Sequence, residues 1–310
     1  MYLVDSHCHL HDPEFFTPSQ QIEFLKEAFE SNVCQIICIG TSHADSLVAK
    51  TFAEAHENVF WTYGIHPEEA TKKEDFKSLF EVTKENSRIS REGHGRLRVS
   101  VESEGRLADR VGVRLDDEKN PTEFFQTKKE LSKSSNLVAV GEIGLDYHYP
   151  GYDKSAQFDL LERMIDLAIS LDLPCSFHVR DALPDFFTLV SNFPKLKPSV
   201  LHSFSDSKQN LEIALEKGFF IGINGLATFA NLDCYKSLDP CFLDRIVLET
   251  DAPFLTPAPN RGKINRPSNV IHVARWLSDK FGVSSQEIAE KTTKNVLKIF
   301  NLPNPKLEQS

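Results

Sequence analysis

Residues 4–12, VDSHCHLHD, place three of the chain's 11 histidines within five positions, next to an aspartate. In a strand successive side chains alternate between faces, so His7 and His9 would share one face and Cys8 would take the other. That aims two imidazoles at one point. Residues of the same kind end other apolar runs: His66 after WTYGI, Glu142 after LVAVG, His178 after CSF, His202 after SVL and Asp251 after IVLET. Imidazole with carboxylate suits Zn, Mn, Fe or Ni, whereas oxygen-rich sets suit Mg or Ca. His7, His9, His178 and His202 with Glu142 and Asp251 are enough for two ions about 3.5–4 Å apart that share a carboxylate. Such a pair acidifies a bound water, holds the oxygen of a phosphoryl or carbonyl centre, and stabilises the leaving group. The chemistry expected is that of a two-metal hydrolase.

These residues must be carried by a frame that brings strand ends together. Eight short apolar runs bounded by turn chemistry supply one: YLVDSH, CQIICIG, VFWTYGIH, LVAVGEIG, PCSFHV, SVLHSF, FFIGING and RIVLETD. Between most of them lie stretches with helical spacing, among them SQQIEFLKEAFES, SAQFDLLERMIDLAISLD, SKQNLEIALEKG and SNVIHVARWLSDKFG. Several have a Ser where an N-cap belongs and a Gly just past the end. Nearly all-apolar strands that alternate with helices make a parallel sheet covered on its outside, and eight of them a (β/α)8 TIM barrel. In that fold the C-terminal strand ends converge on the active face. A single histidine there would pass for a core or loop residue, but a ligand-type residue at strand end after strand end does not follow from burial.

The 310 residues are expected to form a single hydrolase barrel over 1–310, with one interruption. Between Pro67 and Leu137 the chain is far longer than a crossover helix needs, and it turns polar and charged. Residues 88–130 form a charged insertion after the third strand unit, in which RLRVSVES and DRVGVRLD alternate as hairpin strands would. It reads either as a solvated excursion or as a lid or substrate arm at the barrel mouth. No apolar run approaches the ~20 residues that span a bilayer. The N-terminus lacks a basic region, a long apolar region and a small-residue cleavage site, so a cytoplasmic protein is expected. The six cysteines are scattered in or beside apolar runs and read as reduced thiols, Cys34 and Cys38 as small buried hydrophobes sharing a face. A net charge of -10 argues against an extended basic surface for nucleic acid, although bound metal would supply positive charge locally.

Taken in order, DSHCHL, YGIHP, GEIGLDYH, FHVRDA, LHSFS, LETDAPFLTP and NRGKINRPS span nearly the whole chain apart from the insertion. In these motifs the chain resembles the TatD family of metal-dependent deoxyribonucleases, a branch of the amidohydrolase-like barrels. The resemblance implies a (β/α)8 barrel, one or more divalent metal ions, and DNA as the phosphodiester substrate; with the ligand count above, two ions are expected, Mg, Mn or Zn being the candidates. In some members the activity is 3'-to-5' exonucleolytic on single strands. It also implies His7, His9, Glu142, His178, His202 and Asp251 as metal ligands, Glu142 as the bridge, and Asp251 as the group that takes the proton of the attacking water. His66, Arg180 and Arg261 are similar to substrate contacts, the two arginines being open to pairing with an acidic neighbour such as Asp181 instead. Three features depart from the family pattern: Asp206 where glycine is usual, Arg266 where an acidic residue is common, and the insertion. Arg266 would favour a phosphate.

The same ligands can polarise a carbonyl, so the alternative is an amide or ester hydrolase, for example of aminoacyl-tRNA. A scaffold that kept only the barrel would show eroded ligands, and the set here is full. Tyr147, Tyr149 and Tyr152 would either stack on unpaired bases or pack on the barrel rim.

Overall fold

All eight apolar runs fold as strands: β1 (Leu3–Cys8), β2 (Val33–Cys38), β3 (Val59–Tyr63), β4 (Leu137–Asp146), β5 (Cys175–Arg180), β6 (Val200–Leu201), β7 (Phe220–Ile223) and β8 (Ile246–Leu248). The computed structural model describes residues 2–71, 128–134 and 136–305. All but the last three residues of the 88–130 insertion therefore lie outside the described residues. The strands pair in parallel in the order β1 to β8. The ring closes through Ser6 Oγ, which donates to the Leu248 carbonyl at 2.9 Å, and through Asp251 N–H to His7 O at 2.8 Å and His9 N–H to Ala252 O at 2.8 Å. The architecture is the expected (β/α)8 barrel.

Helices α1 (Pro18–Glu30), α2 (His43–Ala55), α3 (Lys154–Leu171), α4 (Leu183–Val190), α5 (Lys208–Glu216), α6 (Asp233–Ser237), α7 (Val270–Phe281) and α8 (Ser285–Ile299) are found among the described residues. Each longer one buries an apolar stripe; on α3 it is Leu160, Leu161, Met164, Ile165 and Ala168. The expected serine caps need correction. Ser207 does cap α5, but α1 starts one residue earlier than Ser19, because Pro18 presets helical φ and Thr17 forms a capping box with Gln20. Asp153, not Ser155, caps α3, and a 3-10 turn at Pro267–Asn269 precedes α7. Gly282, at φ 65°, ends α7 as the sequence indicates. No helix of the described residues is long and apolar enough to cross a membrane.

The apolar interior has two parts. The larger lies between sheet and helices. The smaller draws Val4, Phe60, Val200 and Phe220 from near the N-terminal ends of their strands, with Ile37 and Val247 further along theirs, and joins them to Val296, Ile299 and Phe300. The end of α8 thus plugs the bottom of the barrel, and Gln35 Nε2 ties it there by donating to Pro303 O at 2.9 Å. Polar side chains are left to fill the opposite end. Phe300 is buried, so Phe300→Ala should cost about 3–5 kcal/mol, read as a lower denaturant midpoint; a shift below about 1 kcal/mol would show that the plug carries no stability.

Bulges adjust which face each residue takes. Leu3 pairs with Val33 and Val4 with Gln35, so Cys34 is the extra residue in β2. It lies against the inner cluster, while Cys38 belongs to the outer one. The two do not share a face, contrary to the strand count. Cys38 is instead the register partner of Cys8.

Candidate metal centre

A second irregularity aims the histidine pair. Asp5 pairs with Ile36 and Cys8 with Cys38, three steps along β1 against two along β2. The pleat is re-phased, so Val4 fills the barrel bottom while His7 and His9 point inward at the top. Glu142 sits mid-strand in β4 with its N–H donating to Gly40 O at 2.7 Å. Two glycines let the neighbouring strands close on it. A Cβ on Gly64 would collide with the Gly141–Glu142 peptide, and one on Gly141 would lie 2.7 Å from Ser176 Cβ. His178 comes from β5, and His202 and Asp251 follow β6 and β8. Asp251 and Ser203 take left-handed φ values of 57° and 48°, turning the chain sharply where the ligand-type side chains must face the axis.

All six expected ligands meet around one carboxylate. Glu142 Oε2 lies 3.4 Å from His7 Nε2 and 3.9 Å from His9 Nε2. Glu142 Oε1 lies 2.8 Å from His202 Nε2 and 3.0 Å from His178 Nδ1. Asp251 Oδ1 stands 3.6 Å from both His7 and His9. The donor atoms fall into adjoining groups, His7 with His9 and Asp251, His7 with Glu142 and His202, and His66 with Glu142 and His178. These residues fit divalent metal. The set is imidazole and carboxylate, and His7 Nε2 is buried without a hydrogen-bond partner, a costly arrangement unless it binds something.

On His9 and His178 the opposite nitrogen is fixed by a hydrogen bond, which decides the one that faces the centre. His9 Nδ1 is 3.0 Å from Ile39 O, freeing Nε2. His178 Nε2 is 2.8 Å from Asp146 Oδ2, freeing Nδ1. His202 Nδ1 is buried without a hydrogen-bond partner; it lies 3.6 Å from Glu249 Oε1, an oxygen that accepts from Ser203 N–H at 2.6 Å. Reading the sequence passed over Asp146 and Glu249. Their signal was a carboxylate two or four positions from a ligand, at the same strand parity, inside an otherwise apolar run. Asp146→Ala should weaken metal affinity about 10- to 100-fold, as measured by competition with a fluorescent chelator; an unchanged affinity would remove Asp146 from the centre.

The cluster keeps its carboxylates ionised. Burial pushes Glu142 up, but the charges of His202 and His7 and hydrogen bonds from His178 and His202 hold it well below the usual carboxylate range. Asp251 is balanced alike: burial opposes, and His9, His7 and His202 bring it down. Burial also works against the protons on His202 and His178, yet Glu142 with Glu249 raises the first, and Asp146 with Glu142 raises the second. Burial and the neighbouring His178 push His66 down to about 3.

The raised imidazoles set a sign. Their pairing with Glu142 is fully present below the ordinary histidine range and is lost as pH rises through the raised values, and metal must displace the same protons. The Tm gain on adding Mn or Zn should therefore be larger near about pH 8 than near about pH 6. Equal gains would contradict proton displacement.

The expected substrate contacts divide. His66 belongs to the cluster itself, its Nε2 3.9 Å from Glu142 Oε1 and its ring 4.5 Å from that of His178. Arg180 is exposed, with its guanidinium 5.4 Å from the Tyr149 ring. Arg261 lies over Phe229 at 3.6 Å and donates to Thr256 O at 2.9 Å. Neither arginine has a carboxylate partner among the described residues, and Asp181 pairs with His148 at 2.9 Å. Arg266 departs from expectation: its charge is taken by Glu27 at 2.7 Å, so it is not free for a phosphate. Asp206 accepts from Ser207 N–H at 2.5 Å and Asn210 Nδ2 at 2.7 Å, at the start of α5. Tyr147 and Tyr152 stack on each other at 4.6 Å, and of the three rings it is Tyr149 that stands beside the Arg180 guanidinium.

Comparison with known proteins agrees with this geometry. The family described as TatD related DNase matches residues 4–301. An uncharacterized metal-dependent hydrolase of Buchnera aphidicola is 30% identical over 306 residues, spanning 97% of this chain and 100% of its own. A 3'-5' ssDNA/RNA exonuclease TatD of Erwinia tasmaniensis is 28% identical over 286 residues, spanning 90% of this chain and 92% of its own. The solved structure of a TatD homologue from Escherichia coli superposes with a TM-score of 0.73 at 24% identity, covering 97% of this chain and 98% of that one, a likeness of fold.

Proposed function

The chain belongs to the family of TatD related DNases, metal-dependent hydrolases, and from that premise we propose that it cleaves DNA phosphodiester bonds as a 3'-to-5' exonuclease on single strands. The observation that carries the reading is Glu142, whose two oxygens face different sets of imidazoles. His7, His9 and Asp251 with Oε2 would hold one divalent ion, and His178 and His202 with Oε1 the other. Bound there, the ions supply Lewis acidity toward the phosphoryl oxygen and a lowered pKa for water. Asp251, held ionised by its histidine neighbours, takes the proton of the attacking water. Asp146 holds the His178 imidazole in the ligating tautomer, and Glu249 stands behind His202 as a nearby negative charge. Arg180, without a carboxylate partner among the described residues, forks onto a phosphate of the strand. In a chain of net charge -10, such a cation at the mouth attracts the polyanion locally, and metal bound at the centre would add to it. The exonuclease name of the Erwinia relative supports both polarity and single-stranded substrate.

The test is a substrate panel. Metal-loaded protein is offered a single-stranded DNA oligomer, the same RNA sequence, an activated ester and an aminoacyl-tRNA, and kcat/KM is measured for each. The DNA strand should lead. A higher value for either carbonyl substrate would replace the nuclease reading with that of an amide or ester hydrolase.

A further inference from the structure

We propose that Phe254 and Phe15 form a stacking shelf for the nucleobase that adjoins the scissile phosphodiester. The proposal rests on the nuclease reading and names a subsite within it. Phe254 is 47% exposed and Phe15 39%, large apolar rings left open at the barrel mouth. They meet edge to face with centroids 5.1 Å apart, and the Phe254 centroid is 6.4 Å from that of His9. The shelf is thus continuous with the metal centre, within one nucleotide's reach of a phosphate held there.

Its placement is tied to the ligands. Phe254 N–H donates to Asp251 O at 2.8 Å. The fully buried Asn265 clamps the same turn, donating from Nδ2 to Phe254 O at 2.6 Å and to Thr250 O at 2.8 Å. Phe15 follows the turn that begins at His9, its N–H donating to Asp12 O at 3.3 Å. A ring held this way loses little freedom on binding. The charge nearby favours a nucleotide over an apolar amino-acid side chain. Arg261 and Lys263, exposed on the loop that carries Phe254, have no carboxylate partner among the described residues and suit flanking phosphates. Every base offers a π-face, so such a shelf binds unpaired bases irrespective of sequence, whereas bases paired in duplex are already stacked.

The experiment measures kcat/KM for removal of the terminal nucleotide from two single-stranded oligomers, one with normal bases and one with abasic residues at the last two positions. Wild type, Phe254→Leu and Phe254→Tyr are compared in the metal-loaded form, with circular dichroism and Tm as checks of folding. Phe254→Leu should lose about tenfold on the base-bearing strand and less than about twofold on the abasic one, while Phe254→Tyr keeps most of the activity. Equal losses on both strands, or no loss on the first, would overturn the shelf and leave the nuclease reading standing. Wild-type protein that cleaves neither strand would remove the nuclease reading, and the shelf's occupant with it.

Discussion

Glu142→Gln should lower phosphodiester turnover by about 10³-fold or more and reduce bound metal from two equivalents towards one, while circular dichroism stays that of the folded barrel. The amide keeps the size of the carboxylate but not its two equivalent charged oxygens. Each oxygen faces its own imidazoles, His7 and His9 on one side and His178 and His202 on the other. The loss therefore falls on both half-sites together. It also removes the carboxylate that raises His202 and contributes to raising His178. A variant that kept activity within about tenfold of wild type would mean that Glu142 does not link two ions.

The second large effect is expected at Asp251. Asp251→Asn preserves shape and tolerates the left-handed backbone, φ 57°, because asparagine enters that region readily. It cannot accept the proton of an attacking water. The kcat should fall about 10²- to 10⁴-fold with KM little changed. Metal content separates the two variants, because Asp251 touches only the His7 and His9 side. A fall in KM-governed rate alone, with kcat intact, would reassign Asp251 to binding.

The fold was legible because each parallel strand is an apolar run with turn chemistry at its ends. Strand lengths were less so. SVLHSF and RIVLETD extend well beyond the ladders Val200–Leu201 and Ile246–Leu248, since after them the chain turns through Ser203 and Asp251 to deliver His202 and Asp251 inward. Ligand positions were legible for the same reason: a polar residue where an apolar run stops must face something other than core. The bulge that re-phases β1 left no mark in composition, so His7 and His9 were placed on one face but not on the inner face. Contacts between distant parts of the chain were out of reach. Arg266 finds Glu27 at a separation of 239 residues, Gln35 finds Pro303 at 268, and Phe15 finds Phe254 only because loops after β1 and β8 adjoin when the barrel closes. Asp146 and Glu249 were visible as letters, but their role depends on which ring nitrogen each one faces.

The most direct measurement is a time course on a 5'-labelled single-stranded DNA oligomer with Mg or Mn, run beside a chelator-treated sample and the Glu142→Gln variant. A ladder that shortens from the 3' end in the metal-loaded wild type, and in neither control, is the predicted result. Cleavage that persists after chelation or in the variant, or intact DNA with folded and metal-loaded wild type, would contradict a metal-dependent nuclease centred on Glu142.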